Sequence, residues 1–318
     1  MTPRIHIGPA GWSYPDWDGI VYPTPAGRAF DALEYIASYV DLIEINSTFY
    51  RVPSPRVCDD WAKRVAGKND FTFTVKVHRD LTHGRAPAHE SDAVSFTRAV
   101  APLADRGKLG SLLIQFPWSF RMSSDARRYI RDLTRWLRPF PTAVEVRHGS
   151  WESPPARRFF RENDITLCGI DQPLVGDSLG PTTYEPGRTR AYFRFHGRNK
   201  DMWFKRDAGR DDRYNYLYSA AELSSWRERI ESVPTGVERL FVVLNNHFRG
   251  QAVANALQLR AMLSGVKSDA PPELLDAYPQ IEGSLRPVRS PRTRIPVQHK
   301  DTGQTELNLF DDKDEQDK

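Results

Sequence analysis

Ionisable and amide side chains recur in this chain at one kind of place, the C-terminal end of a short apolar run. Glu44 and Asn46 close the run at 42–46, Lys76 that at 71–76, Gln115 that at 112–115, and Glu145 with Arg147 that at 143–147. Asp171 closes 166–171, Arg194 and His196 close 191–196, and Asn245 with Asn246 close 240–246. An isolated buried charge is costly, so several around one mouth are tolerable only as a mutually compensated set. Two chemistries fit. Glu44, Glu145, Asp171 and His196 are the ligand types of a hard or borderline divalent cation. Alternatively, Lys76, Arg147 and Arg194 supply the positive charge and bind a phosphate or carboxylate group, arginine through its two-pronged guanidinium. Glu145 or Asp171 then serves as base and His196 as acid. A retaining glycosidase fits less well, because the fourth run ends in Gln115 where a carboxylate is needed.

Such runs, alternating with helical segments, read as strands of a parallel barrel, which collects its chemistry at the strand C-termini. Alternate residues of a strand share a side, so Glu44 pairs with Asn46, Glu145 with Arg147, and Arg194 with His196. A first strand at 4–8 completes eight. Helices are expected at 31–39, from the Ser54–Pro55 cap, and at 91–106, 124–138, 154–163, 220–232 and 251–263. The proline- and glycine-rich stretch 172–189 should hold no helix. The expected fold is therefore an α/β, TIM-type (β/α)8 barrel over residues 1–283, irregular between its sixth and seventh strands.

Aromatic side chains crowd the same face, among them Trp12, Tyr14, Trp17, Phe49, Tyr50, Trp118, Trp151 and Trp203. They serve either core and lid packing or stacking on a base or sugar ring. On the second reading Tyr50 and Trp151 join the binding set with Asn46, Lys76, Gln115, Arg147, Arg194, Asn245 and Asn246. Of the loop histidines at 78, 83 and 89, His83 is the strongest candidate, since it closes a Thr-His pair.

The 318 residues are 39% hydrophobic and 27% charged, with a formal charge of +4. This suits a soluble globule and permits contact with phosphates without requiring it. The two cysteines, Cys58 and Cys168, are expected as reduced, packed thiols in a cytoplasmic protein. The opening MTPRIHIGPAGW lacks the apolar core of a signal peptide, and no run approaches 18 apolar residues, so no membrane contact is expected.

The stretches GPAGWSYPDWDGIVYP (8–23), IEINSTFYRVPSP (43–55), FTFTVKVHRDLTH (71–83), LIQFPWSF (113–120), EVRHGSW (145–151), YFRFHGR (192–198) and VVLNNHFRGQAVANA (242–256) resemble the YecE-like family, also called domain of unknown function 72. They span nearly all of residues 4–260. The resemblance implies a TIM-type barrel and, as the family name says, carries no known activity over to this chain.

Residues 284–318 hold seven basic and seven acidic residues and little apolar periodicity, and are expected to form a flexible tail. Within them Gln304, Leu307, Leu309 and Phe310 resemble the short peptides that bind the bacterial sliding clamp, glutamine in one pocket and Leu309 with Phe310 in another. Glutamine sits two residues earlier than in the commonest such peptide. The alternative is a strap that packs on the barrel. Together these readings suggest a phosphoester-processing enzyme acting on nucleic acid or a nucleotide, its cofactor open, with a divalent metal as one option. Alternatives are a sugar or sugar-phosphate isomerase or hydrolase, and a non-catalytic nucleic-acid or clamp-associated module.

Overall fold

The computed structural model describes residues 3–24, 30–84, 88–203, 205 and 209–289. Its strands are β1 (Arg4–Pro9), β2 (Leu42–Ile45), β3 (Thr72–Lys76), β4 (Leu109–Gln115), β5 (Thr142–Glu145), β6 (Thr166–Leu167), β7 (Gly169–Asp171), β8 (Arg190–Phe195), β9 (Arg239–Leu244), β10 (Ser268–Ala270) and β11 (Leu285–Pro287). The helices are α1 (Ala32–Ile36), α2 (Pro55–Arg64), α3 (Glu90–Asp105), α4 (Ser124–Trp136), α5 (Pro154–Glu162), α6 (Lys200–Trp203), α7 (Arg210–Tyr214), α8 (Ala220–Glu231), α9 (Gln251–Ser264) and α10 (Pro272–Ala277).

The fold is mixed α/β with parallel sheets. One sheet runs β2-β3-β4-β5-β6 and another β1-β9-β8-β7, while β10 and β11 form a separate parallel pair. The strands are buried almost throughout, as parallel strands covered by helices must be. At one seam the Gly11 amide donates to the Glu44 carbonyl at 2.8 Å, and Ala10 bridges Glu44 in parallel. Gly8 permits this approach, because a Cβ there would lie 1.7 Å from the Leu42 carbonyl oxygen. At the other seam the strand expected at 166–171 is split. β6 pairs with β5, β7 pairs with β8, and Cys168 between them donates its amide to the Val144 carbonyl at 2.8 Å.

Local chemistry sets the helix starts. Ser54 accepts from the Val57 amide with Pro55 following it, Ser123 accepts from Ala126 at 3.0 Å, and Ser219 and Glu222 cap α8 reciprocally. Residues 172–189 hold no helix. They are tied down by the antiparallel bridges His148–Ser178 and Leu167–Glu185. The segment 197–214, where no helix is expected from the sequence, contains α6 and α7, too short to show a helical period. Folded structure continues past residue 283: Leu285 is buried, and Val288 donates its amide to Ala270 and accepts from the Tyr39 hydroxyl. Gln304, Leu307, Leu309 and Phe310 lie outside the described residues. Cys58 and Cys168 are free and buried, and among the described residues no helix is long and apolar enough to cross a membrane.

Candidate functional site

Strand alternation places Tyr192, Arg194 and His196 on one side of β8 and its extension. Across the enclosed space this row meets Glu44 of β2, Thr74 of β3, Gln115 of β4 and Glu145 of β5, all essentially excluded from water. Arg194 is the hub. Its Nε donates to Glu44 Oε1 and Oε2 at 3.0 and 3.1 Å, its Nη2 to Glu44 Oε1 at 2.7 Å, and its Nη1 to Gln115 Oε1 at 3.1 Å and Glu145 Oε2 at 3.0 Å. The Tyr192 hydroxyl adds a donor to Glu44 Oε2 at 2.7 Å and pairs with Thr74 Oγ1 at 2.8 Å. Burial pushes the Tyr192 phenol well up, and the Glu44 charge beside it adds to this, so it stays a donor.

Glu145 joins this frame to the next layer. Its Oε1 accepts from Arg147 Nε and faces His196 Nε2, both at 3.0 Å. Burial alone would raise its pKa. Arg194, His196 and Arg147 outweigh that and hold it well below the usual carboxylate range. Lys76, also buried, sets its Nζ 3.8 Å from the Phe49 ring centre. Lys76, Arg147 and Arg194 are all buried, as are the two carboxylates Glu44 and Glu145.

His196 is neutral at pH 7. Burial, helped by the Arg147 and Arg194 charges and opposed by Glu145, brings its pKa down to about 4. Its Nδ1 faces the Asn245 amide nitrogen at 3.2 Å and so accepts, which puts the proton on Nε2, donated to Glu145. The rings of Trp203 and Tyr214 lie 6.1 and 6.4 Å from the imidazole, and Tyr214 in turn packs against His247 at 5.1 Å.

The remaining expected residues are distributed differently. Phe49 gathers Lys76, Tyr50 at 5.1 Å and His83 at 5.0 Å, and His83 Nδ1 pairs with Thr82 Oγ1 at 2.8 Å. Asn46 opens the 3-10 turn before Phe49 and keeps a buried Oδ1 without a hydrogen bond. Three expectations need correction. Asp171 is registered beside Phe195, on the opposite side of the sheet from Arg194. It accepts from Arg198 Nε and Nη2 at 2.8 and 2.6 Å and from the Trp226 indole of α8. It therefore fastens a helix. Asn246, one residue out of phase with Asn245, donates to the Tyr216 carbonyl at 2.8 Å and to Asn255 Oδ1 at 2.9 Å. Trp151 is fully buried against Phe120 and Phe160, its indole donating to the Phe120 carbonyl, so it packs the outer layer and offers no stacking face.

The four acidic and histidine side chains considered for a metal are not assembled as ligands. Arg194 sits between Glu44 and Glu145, Asp171 faces away, and among the described residues no group of three His, Cys, Asp or Glu side chains could hold a metal ion. Tyr192, Thr74 and Tyr214 were not anticipated. The first two stand two residues before Arg194 and Lys76, so strand parity alone could have added them. Tyr214 arrives through the unforeseen α7.

The fold is mixed α/β with parallel sheets, and the charge cluster lies at the C-terminal ends of its strands. The model of the family described as "Protein of unknown function DUF72" matches residues 6–276, and the chain belongs to that family. It is 29% identical over 287 residues to the UPF0759 protein YunF of Bacillus subtilis, covering 86% of this chain and all of that one. It is 30% identical over 149 residues to the UPF0759 protein YecE of Escherichia coli K12, 45% of this chain and 48% of YecE. A crystal structure of a DUF72 family protein from Thermotoga maritima aligns with a TM-score of 0.69 at 33% identity, over 82% of this chain and 99% of that one. One from Enterococcus faecalis aligns with a TM-score of 0.72 at 26% identity, over 82% and 96%.

Proposed function

We propose that the chain is a closed eight-stranded TIM-type barrel enzyme that hydrolyses a phosphate ester on a nucleotide or nucleic acid. The two sheets approach each other at more than the seams. Tyr192 of one hydrogen-bonds Glu44 and Thr74 of the other, and a Cβ on Gly110 of β4 would lie 2.7 Å from the Phe241 ring of β9. Such contacts across the interior support closure.

The observation that carries the function is a buried, carboxylate-held neutral histidine on the side of the sheets that also buries Lys76 and Arg147. Lys76 and Arg147 take the phosphoryl oxygens. His196 receives the proton of the attacking water on Nδ1, as Asn245 shifts its amide from Nδ1 to the reacting oxygen. Glu145 holds Nε2–H and stabilises the imidazolium, the part a carboxylate plays beside a catalytic histidine. The water oxygen bonds phosphorus, the ester P–O bond breaks, and the imidazolium returns the proton to the departing oxygen. This reverses the sequence expectation, in which His196 was the acid and Glu145 or Asp171 the base. A bound anion offsets the Arg147 charge and lifts the pKa of His196 towards its ordinary range, so the base is activated when the substrate arrives. Trp203 and Tyr214 supply aromatic faces beside the imidazole for a base ring.

The peptide at Gln304, Leu307, Leu309 and Phe310 extends the reading to recruitment by the sliding clamp. Calorimetry of a 302–312 peptide against the clamp addresses that extension by itself. The catalytic reading is tested by turnover of p-nitrophenyl phosphomonoesters and diesters after metal chelation. Wild-type turnover should fall at least a hundredfold in His196→Gln, in line with loss of a general base. Turnover unchanged in His196→Gln would remove the histidine from the mechanism.

A further inference from the structure

At the opposite end of the strands lies a feature the proposed reaction does not use. Arg4 of β1, Arg239 of β9 and Arg190 of β8 are register partners, three arginines in one row across adjacent strands. Neighbouring strands are about 4.8 Å apart, and like charges directly opposite one another destabilise a sheet. The next row inward, His6, Phe241 and Tyr192, faces the interior. His6 stacks on Phe241 at 5.6 Å, and the Arg239 guanidinium lies 5.2 Å from the same ring, so Arg239 shares this side.

Arg4 is paired with Asp70, and nearby Asp41 is engaged by Arg260 at 3.0 Å. Glu238, next in the chain, is exposed. Arg190 donates to Thr189 Oγ1 at 3.1 Å and keeps a buried Nε with no hydrogen bond. Among the described residues, Arg239 Nη2 reaches His6 Nε2, at 3.5 Å, and no carboxylate. His6, 2% exposed, keeps a buried Nδ1 with no hydrogen bond; the Asp41 carbonyl acts on it less than the Arg239 and Arg4 charges do. Burial depresses the pKa of Arg239, and the Arg190 and Arg4 charges lower it further.

We propose that the row Arg4–Arg239–Arg190, with His6 beneath it, is an anion site at the N-terminal end of the strands that takes a phosphate group, free or as the end of a small phosphomonoester. Guanidinium donors match phosphate oxygens, and the ligand would neutralise the like charges that otherwise repel. This end of a barrel ordinarily serves stability alone, a task that adjacent like charges oppose.

Thermal melts at matched ionic strength test the site, with inorganic phosphate and glycerol 3-phosphate as separate probes. At about ten times Kd either should raise the melting temperature by about 2–4 °C. The stronger response identifies whether the site prefers the free ion or the ester. The melts are run in the Lys76→Met background, which removes the phosphate contact proposed at the other end of the strands, and there the shift should persist. Adding Arg239→Met, which keeps an apolar stem over Phe241, should abolish it and melt no lower than Lys76→Met without phosphate. Adding Arg190→Met instead should weaken the shift and gives a second reading should the Arg239→Met variant fail to fold. A Lys76→Met shift that survives Arg239→Met overturns the site. A shift lost in Lys76→Met instead assigns the phosphate to the other end of the strands and overturns it as well, leaving the proposed reaction untouched.

Discussion

Glu145→Ala should destabilise the protein by about 3–5 kcal/mol, the usual cost of leaving buried charge uncompensated. One carboxylate here serves three neighbours: Arg194 Nη1, Arg147 Nε and His196 Nε2–H. With Glu145 gone, Arg194 keeps Glu44, while Arg147 Nε and His196 Nε2–H lose this acceptor. For a folded unit of this size the loss is a fall of roughly 10 °C in melting temperature. Glu145→Gln should fall in between, since its amide oxygen still accepts while its charge is lost. Calorimetric melts of the three proteins decide it, and an alanine variant melting within about 2 °C of the parent would show that the network is not a charge frame.

Acid should weaken the fold well above the range where ordinary carboxylates titrate. His196 and His6 are buried neutral, with pKa values pushed down to about 4 and about 3 from an ordinary 6.5, in both cases mainly by burial. The folded values lie below the unfolded one, so as pH falls through 6.5 the unfolded chain takes up protons first and stability drops. Between pH 6.5 and 4.5 each histidine withdraws about 2 kcal/mol at 1.4 kcal/mol per pKa unit. His148, also depressed by burial, acts in the same direction. Asp41, raised by burial, opposes the trend near the bottom of that window. Glu145 adds its own loss only below about pH 4.5, since its folded pKa is depressed and its stabilisation vanishes as it protonates. Urea titrations at half-unit pH steps should show this slope, reduced by about half in His6→Phe. A flat stability between pH 6.5 and 4.5 would mean that the two imidazoles are not held neutral by the fold.

Period-two apolar runs ending in polar residues marked every strand that lines the site, and with them Glu44, Lys76, Gln115, Glu145, Arg194 and His196. Side-chain direction was legible only where the register was right. At 166–171 the apolar run reads as one strand, yet the chain breaks at Cys168, and Asp171 faces α8 where Phe195 packs. Asn245 and Asn246 differ by one position and therefore by a whole face of the sheet. The helices α6 and α7, with four and five residues, are shorter than the window over which a helical period can be recognised. They place Trp203 and Tyr214 beside His196. Trp151 shows the limit of composition: an aromatic after a strand reads equally as a platform or as packing, and its indole bond to Phe120 makes it packing.

The most direct test of a phosphate-binding mouth at the strand C-termini is calorimetric titration of a nucleoside monophosphate into wild type, Arg239→Met and Lys76→Met. Wild type and Arg239→Met should bind with the same affinity at that mouth. Lys76→Met should bind at least tenfold more weakly, and the wild-type affinity should fall with added salt, as a charge-driven contact must. Binding of equal strength in Lys76→Met, or no heat in wild type at millimolar ligand, would contradict a phosphate site built on Lys76 and Arg147.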